Sequence, residues 1–558
     1  MPVFKIGTDD FKELIDEGGY FVDKSLLIRE IINGNKVVLL PRPRRFGKTL
    51  NMTMLRYFFE KYHEDRGYLF KNLAISDQQD CMKHQGQYPV IFISLKDVKG
   101  TSWDESKKRL TEKIGELIAQ FKYVEPTLEQ IYHNGFQTIL SGHPDDASLK
   151  ASLKNLITWL YNYHKKPVIV LIDEYDSPMI EAWTHDYYQE MAEFMRSWLG
   201  GGLKHENAQA LYRAVITGIL RVAKESIFSD LNNLFVSTTL LPNTISSLFG
   251  FTEDEVMQIL KSSNLTDQAE TIREWYDGYL FGSKTIYNPW SVSMYVNLYP
   301  APPGPHWLNT SANTLVYEEL AKGGIEIKRD LERLLSGEEI RYPITETVTF
   351  RDIGRNPANI WSFLYFSGYL KADEPRPDIR ERVTYRLSIP NLEIGFAYEN
   401  FIDSMYSKPG GGLDALMNWF NEYNPVPSLE EILKNLSLSL LSIYDLAKLP
   451  EAVFHAFVLG LLADLRSVYD IRSNAESGLG RADIIMIPKT SRYPTGYVIE
   501  FKSIHPDEDI EGMAQEALQQ IQEKRYDTPV LSAGIKQDKV RHLAVVLQGK
   551  QVIVREGA

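Results

Sequence analysis

The chain is almost devoid of cysteine: Cys81 stands alone among 558 residues. A lone thiol cannot close an intrachain disulfide, and one chain cannot build a cysteine-based zinc cluster from it. A reducing compartment fits this usage, and a cytoplasmic protein is expected. Long hydrophobic runs are missing as well. The longest apolar stretch, around 454–462, is broken by His455 and falls well short of the roughly 18 residues that mark a membrane span, so no membrane partner is expected. The opening MPVFKIGTDDFKEL has no basic region leading into an apolar one, which predicts no secretory leader. Positive charge is in deficit: 61 Lys and Arg face 74 Asp and Glu, for a net charge of −13. That excludes a uniformly basic nucleic-acid binder but leaves room for a local basic groove, because binding follows the distribution of charge and not its sum. No repeat and no low-complexity tract is seen.

What is present is ordinary globular material, 44% hydrophobic and 24% charged, which argues against disorder or a fibrous coil. One hydrophobic core stops growing at roughly 250–300 residues, so at least two domains are expected. In the first third, short β-rich runs (37–40, 90–95, 168–172, 214–217, 234–238) alternate with helical spacing. The run VIVLI at 168–172 is wholly aliphatic and reads as a central strand buried on both faces. Strands separated by helices imply parallel pairing, hence an α/β sheet. From Phe249 the segments become short and helical with Pro-rich punctuation, and from Pro409 helices over 429–446 and 451–468 give way to β runs at 482–487, 497–501 and 542–547, with a helix over 511–524. The expected division is therefore 1–248, 249–408 and 409–558.

Two constellations carry chemistry. After the first strand the chain reads Arg42, Pro43, Arg44, Arg45, Phe46, Gly47, Lys48, Thr49. This is the end of a phosphate-binding loop, GxxxxGK[ST], with Arg42 at the first Gly position. Backbone N–H groups at a helix start form an anion nest. Gly47 permits close approach, Lys48 reaches the β/γ-phosphates and the Thr49 hydroxyl ligates magnesium. Arg44, Arg45 and Phe46 complete the loop. The competing reading is a basic solvated turn. LIDEYDSP then places Asp173 and Glu174 at the end of the buried strand. There a first carboxylate holds magnesium and a second polarises the attacking water. Thr217, at the tip of another strand, is a candidate for the γ-phosphate or the lytic water. Arg221 and Lys224 are candidates for charge stabilisation in cis or from a neighbouring subunit, the latter requiring a homo-oligomer.

The second constellation is GRADIIMIP followed by YVIEFKS. Asp483 opens one strand; Glu500 and Lys502, two apart on the next, share a face. Two carboxylates on neighbouring strands can hold Mg²⁺ or Mn²⁺, with water and the Phe501 carbonyl as further oxygen ligands, and Lys502 can orient or deprotonate a water for phosphodiester hydrolysis. Glu451 and Gln520 are further candidates. The competing reading is a salt-bridged surface pair for Glu500 and Lys502, a helix-start acid for Glu451 and a solvated helix residue for Gln520.

Together these motifs, with YFVDKS (20–25), VITGILRVAKESIFSDLNNL (215–234), FGFTEDEV (249–256), WYDGYLFG (275–282), YNPWSV (287–292) and SNAESGLGRADIIM (473–486), resemble the predicted AAA-ATPase-like proteins with a C-terminal PD-(D/E)xK nuclease-like domain. The resemblance implies a P-loop parallel sheet, a helical lid or winged-helix-like middle, and a restriction-endonuclease-like α/β end. It also implies that Arg42 in the loop is a family habit. It assigns phosphate and magnesium roles to Lys48 and Thr49, acidic-strand roles to Asp173 and Glu174, and nuclease roles to Asp483, Glu500 and Lys502. Ala482 departs from the Pro of the family pattern. Two functions stay open at this point: an ATP-regulated, Mg²⁺-dependent nuclease acting on DNA or RNA, and a nucleotide-dependent switch or scaffold whose C-terminal domain binds nucleic acid or protein without cutting.

Overall fold

A computed structural model describes residues 3–62, 64–204, 209–220, 227–228, 231, 233–307, 320, 325–335, 337–346, 357–379, 381–398, 416, 419–420, 429–434, 458–459, 462, 465–466, 468–478, 480–490, 493–505, 508–548 and 551–557. The chain divides into two compact units, one formed by 1–315 with 341–393, the other by 316–340 with 394–558.

The first unit is built on a five-stranded sheet of β1 (Val37–Pro41), β2 (Val90–Ser94), β3 (Val168–Asp173), β4 (Leu211–Gly218) and β5 (Leu234–Val236), in the order β2-β3-β4-β1-β5. Every pairing is parallel. All residues of β1 and β3 are buried, as the aliphatic runs 37–40 and 168–172 require of strands covered on both faces. Helices supply the cover and start on polar caps. The Ser102 hydroxyl accepts from the Glu105 N–H at the start of Trp103–Ala119, and the Asp145 carboxylate does so for Asp146–His164. The register sets Leu40 against Thr217 and Pro41 against Gly218, and Ile172 against Ile216. The carboxyl ends of β1, β4 and β3 thus lie side by side, which is where parallel α/β sheets bind ligands.

The middle region is more than the helices its sequence suggests. It carries β6 (Phe251–Thr252), β7 (Tyr279–Phe281) and β8 (Lys284–Tyr287) in one sheet, and β9 (Ile340–Tyr342), β10 (Lys371–Pro377) and β11 (Val383–Ser388) in another. These strands are too short or too charged to show a clear period of two. The helix Glu253–Ser263 begins on a capping box in which Thr252 and Glu255 satisfy each other's main chain.

The second unit holds a mixed sheet of β12 (Tyr469–Ser477), β13 (Gly480–Pro488), β14 (Gly496–Ile504), β15 (Val540–Gln548) and β16 (Gln551–Gly557), in that order. β14 and β15 are parallel and joined through the helix Ile510–Lys524; the other pairs are antiparallel. The pattern reading ended at 542–547 and missed both β12, which is mostly polar, and β16. The helix expectations over 435–446 and 451–457 lie outside the described residues. Two sides of the sheet bury separate cores: Ile484, Met486, Ile499 and Phe501 on one, Ile485, Val498 and Ile521 on the other. By alternation Asp483 and Glu500 project to the second side, under Ile510–Lys524. No helix among the described residues is long and apolar enough to cross a membrane.

Candidate nucleotide and nuclease-like centres

The loop after β1 turns through two left-handed residues, Arg45 (φ 66°) and Gly47 (φ 77°). Gly47 stands at the N-cap of the helix Lys48–Phe59, where a glycine takes that conformation at little steric cost. The Lys48 ammonium donates to the carbonyls of Arg42 (3.1 Å) and Pro43 (2.9 Å). It is buried, and burial lowers its pKa. The Thr49 hydroxyl donates to Asp173 Oδ2 at 2.8 Å, and the Thr217 hydroxyl to Oδ1 of the same carboxylate. Asp173 is almost wholly buried, and burial raises its pKa against the pull of those two hydroxyls. Glu174 follows in a left-handed conformation (φ 51°), which non-glycine residues adopt rarely and at a cost. Its Oε2 accepts from Ser177 Oγ at 3.0 Å. The structure therefore brings Lys48, Thr49, Asp173, Glu174 and Thr217 together; Arg221 and Lys224 lie outside the described residues.

The loop arginines and Phe46 behave differently from one another. The Arg42 guanidinium is fully buried, donates to the Pro41 (2.7 Å) and Ser237 carbonyls, and lies over the rings of Phe249 and Phe281. Burial lowers its pKa to about 10. Arg45 stacks over Trp290 at 4.0 Å. The Arg44 carbonyl accepts from Trp307 Nε1 at 3.3 Å. The Phe46 ring is buried against Tyr279 and Phe281, so only its main chain is left to face a phosphate. WYDGYLFG and YNPWSV thus serve as packing around the loop: Asn288 caps Pro289–Leu298 through the N–H groups of Trp290 and Ser291. Sequence reasoning gave no role to Trp307 or to Glu393. Glu393 is buried and accepts from Ser291 Oγ and the Trp307 N–H (2.7 Å); burial pushes its carboxyl up to about 7. Only a three-dimensional contact links these residues to the loop, so no local motif could have marked them.

In the second unit, ladder pairing between β13 and β14 covers Ile484 opposite Ile499 through Met486 opposite Tyr497. Beside it the Asp483 carboxylate accepts from the Phe501 N–H at 2.8 Å. Glu500 Oε1 accepts from Lys502 Nζ at 3.0 Å and Gln520 Nε2 at 2.7 Å, and Gln520 also reaches Tyr526 Oη at 3.1 Å. Glu500 is 2% exposed. Burial, and then the charge of Asp483, push its carboxyl up to about 7. Its Oε2 is buried and makes no hydrogen bond of good geometry, although the Asp483 main-chain N–H lies near enough to the carboxyl to hold its pKa back somewhat. A buried carboxylate oxygen without a donor is costly, and a cation would remove that cost, so this pair fits a divalent metal. Among the described residues no group of three or more His, Cys, Asp or Glu is arranged to hold one; the main chain and water would complete the ligand set. Glu451 lies outside the described residues.

The family model of predicted AAA-ATPases matches residues 5–228, which contain Lys48, Thr49, Asp173, Glu174 and Thr217. The model of the PD-(D/E)XK nuclease superfamily matches residues 449–557, which contain all of the second. The chain joins an AAA-ATPase-like part to a PD-(D/E)XK nuclease-like part. The AAA-ATPase-like part has the parallel P-loop sheet and the nuclease-like part the mixed sheet that this architecture implies. An uncharacterized protein in the vnfD 5' region of Azotobacter chroococcum is 26% identical over 397 residues, covering 70% of this chain and 67% of that one. Among solved structures, a signal transduction ATPase with numerous domains from Pyrococcus horikoshii, with a tetratricopeptide repeat sensor, matches at 11% identity and TM-score 0.23, over 80% of this chain and 58% of its own length.

Proposed function

We propose that the AAA-ATPase-like part binds and hydrolyses ATP, and that the nuclease-like part cleaves DNA or RNA with a divalent metal, Mg²⁺ or Mn²⁺, under control of the nucleotide. The observation that carries the second half is the bare, buried Glu500 Oε2 beside Asp483 and Lys502. Asp483, Glu500 and the Phe501 carbonyl would hold the metal, which supplies Lewis-acid activation of the scissile phosphate and of water. Lys502 orients or deprotonates the attacking water, and Gln520 holds Glu500. For the first half, Lys48 and the loop amides bind the β- and γ-phosphates, Thr49 and Asp173 hold Mg²⁺, and Glu174 polarises water with Thr217 beside it. Arg44, Arg45 and Arg221 add positive charge, and Arg221 acting between subunits would make the protein a homo-oligomer. In this reading 1–248, 249–408 and 409–558 are the nucleotide, lid and nuclease parts of a cytoplasmic enzyme.

The test is cleavage of single- and double-stranded DNA and RNA with Mg²⁺ or Mn²⁺, with and without ATP, beside Lys502→Ala. Cutting that needs both metal and Lys502 and responds to ATP is expected. ATP hydrolysis without cutting in any condition would instead favour a switch or scaffold that binds nucleic acid or protein.

A further inference from the structure

Tyr175 and Asp176, which follow the acidic pair Asp173-Glu174, have no part in the mechanism above. Asp176 occupies the N-cap position of the helix Ser177–Thr184 yet makes no capping hydrogen bond to it. Its side chain turns instead to the exit of β4, where Oδ2 accepts from two successive main-chain N–H groups, Ile219 (2.7 Å) and Leu220 (2.9 Å). Tyr175 adds two bonds to the same strip: its N–H donates to the Thr217 carbonyl at 3.0 Å, and its hydroxyl to the Leu220 carbonyl at 2.7 Å. From the other side the Arg42 N–H donates to the Gly218 carbonyl at 2.9 Å. The fit is close. A Cβ on Gly218 would lie 2.7 Å from Asp176 Oδ1 and 2.7 Å from the Tyr175 ring, so this position admits no side chain without a shift. Asp176 is buried, and an ordinary helix-start acid would be solvated; one placed here needs those two charge-assisted bonds to offset its desolvation.

We propose that Asp176 is a positioning residue for nucleotide hydrolysis. By clamping Gly218–Leu220 it holds the end of β4 so that the Thr217 hydroxyl stays on Asp173, in register with Thr49 and Lys48. The clamp acts on the geometry of the hydrolytic side. It makes no hydrogen bond to Lys48, whose ammonium stays on the Arg42 and Pro43 carbonyls, and the Asp176 carboxylate is one of several near that ammonium. The inference rests on the ATPase reading of this centre.

ATP turnover and ATP affinity of the full chain separate the cases, measured for wild type, Asp176→Ala and Asp176→Asn. Asp176→Ala should lower kcat by roughly a hundredfold, the scale of an ångström-sized misplacement, while affinity for ATP holds and hydrogen exchange at Ile219 and Leu220 speeds up. Asp176→Asn, of the same size and still offering an oxygen to the two amides, should recover much of the rate and guards against a misfolded alanine variant. Wild-type turnover in both variants would overturn the clamp, and so would equal losses of kcat and affinity. A wild type that neither binds nor hydrolyses ATP would overturn the ATPase reading itself, a failure visible before any variant is made.

Discussion

Glu393 in the first unit and Glu500 in the second are both buried carboxyls pushed up to about 7, yet their surroundings differ in kind. Both oxygens of Glu393 are met by Ser291, and one of them also by the Trp307 N–H. Asp173 is likewise met on each oxygen, by Thr49 and Thr217. Glu500 has two donors crowded on Oε1 and none on Oε2. The contrast teaches how to separate a structural acid from a ligating one. Burial and a raised pKa mark both, and only the unfilled oxygen marks the one open to a cation by itself; Asp173, the proposed magnesium ligand, would exchange a hydroxyl for the ion when nucleotide brings it. In the nucleotide centre the protein completes the carboxylate's hydrogen bonding by itself; in the nuclease-like centre it does not.

Four substitutions sharpen or break that contrast. The largest effect is expected at Lys502→Ala, where removal of the donor beside Glu500 should lower cleavage by roughly a hundredfold to a thousandfold, as losses of single charge-stabilising groups do, measured on whichever nucleic acid wild type cuts. Unchanged cleavage would remove the second centre from the chemistry. Lys48→Ala should weaken ATP binding by roughly a hundredfold, from the cost of removing one partner of a desolvated charge pair, as read by titration with a fluorescent ATP analogue. Arg42→Ala leaves a cavity between Phe249 and Phe281 and two carbonyls without donors, and should destabilise the first unit by about 3 kcal/mol, measured by urea unfolding. A change within error would mean that the guanidinium is dispensable packing.

The smallest effect concerns Glu393 and pH. Its carboxyl rises from 4.5 to about 7 in the folded protein, so the native state binds that proton more tightly than the unfolded one. Its contribution is whole below pH 4.5 and is lost as pH rises through about 7. Glu393→Gln, neutral throughout, should flatten the melting-temperature curve across that window, by an amount bounded at about 3 kcal/mol. Parallel curves for the two proteins would show that Glu393 is not the titrating group.

Much of the two centres is legible in the sequence because each rests on contiguous residues. The β3 run and its Asp173-Glu174 end, the GKT turn, and the pair Glu500 and Lys502 on one strand are set by local periodicity and by backbone rules. The partners that complete them are not. Trp290 and Trp307 reach the arginine loop across the fold; Gln520 is a candidate in the sequence, but its bond to Glu500 is seen only in the structure. Asp176 was visible in LIDEYDSP, but its position after a strand and before a helix points to a cap, and only the structure turns it toward Ile219 and Leu220. The strand β12 escaped because it is mostly polar, and β16 because its apolar part is only Val552–Val554 before it turns charged.

The measurement that bears most directly on the contrast is Mn²⁺ binding to the full chain without nucleotide, for wild type, Asp483→Asn and Glu500→Gln. The account predicts that wild type binds Mn²⁺ and that each substitution removes this binding, since without nucleotide Thr49 and Thr217 hold Asp173 and no phosphate oxygen is present to share an ion there. Binding that survives both substitutions, or no binding by wild type, would contradict it.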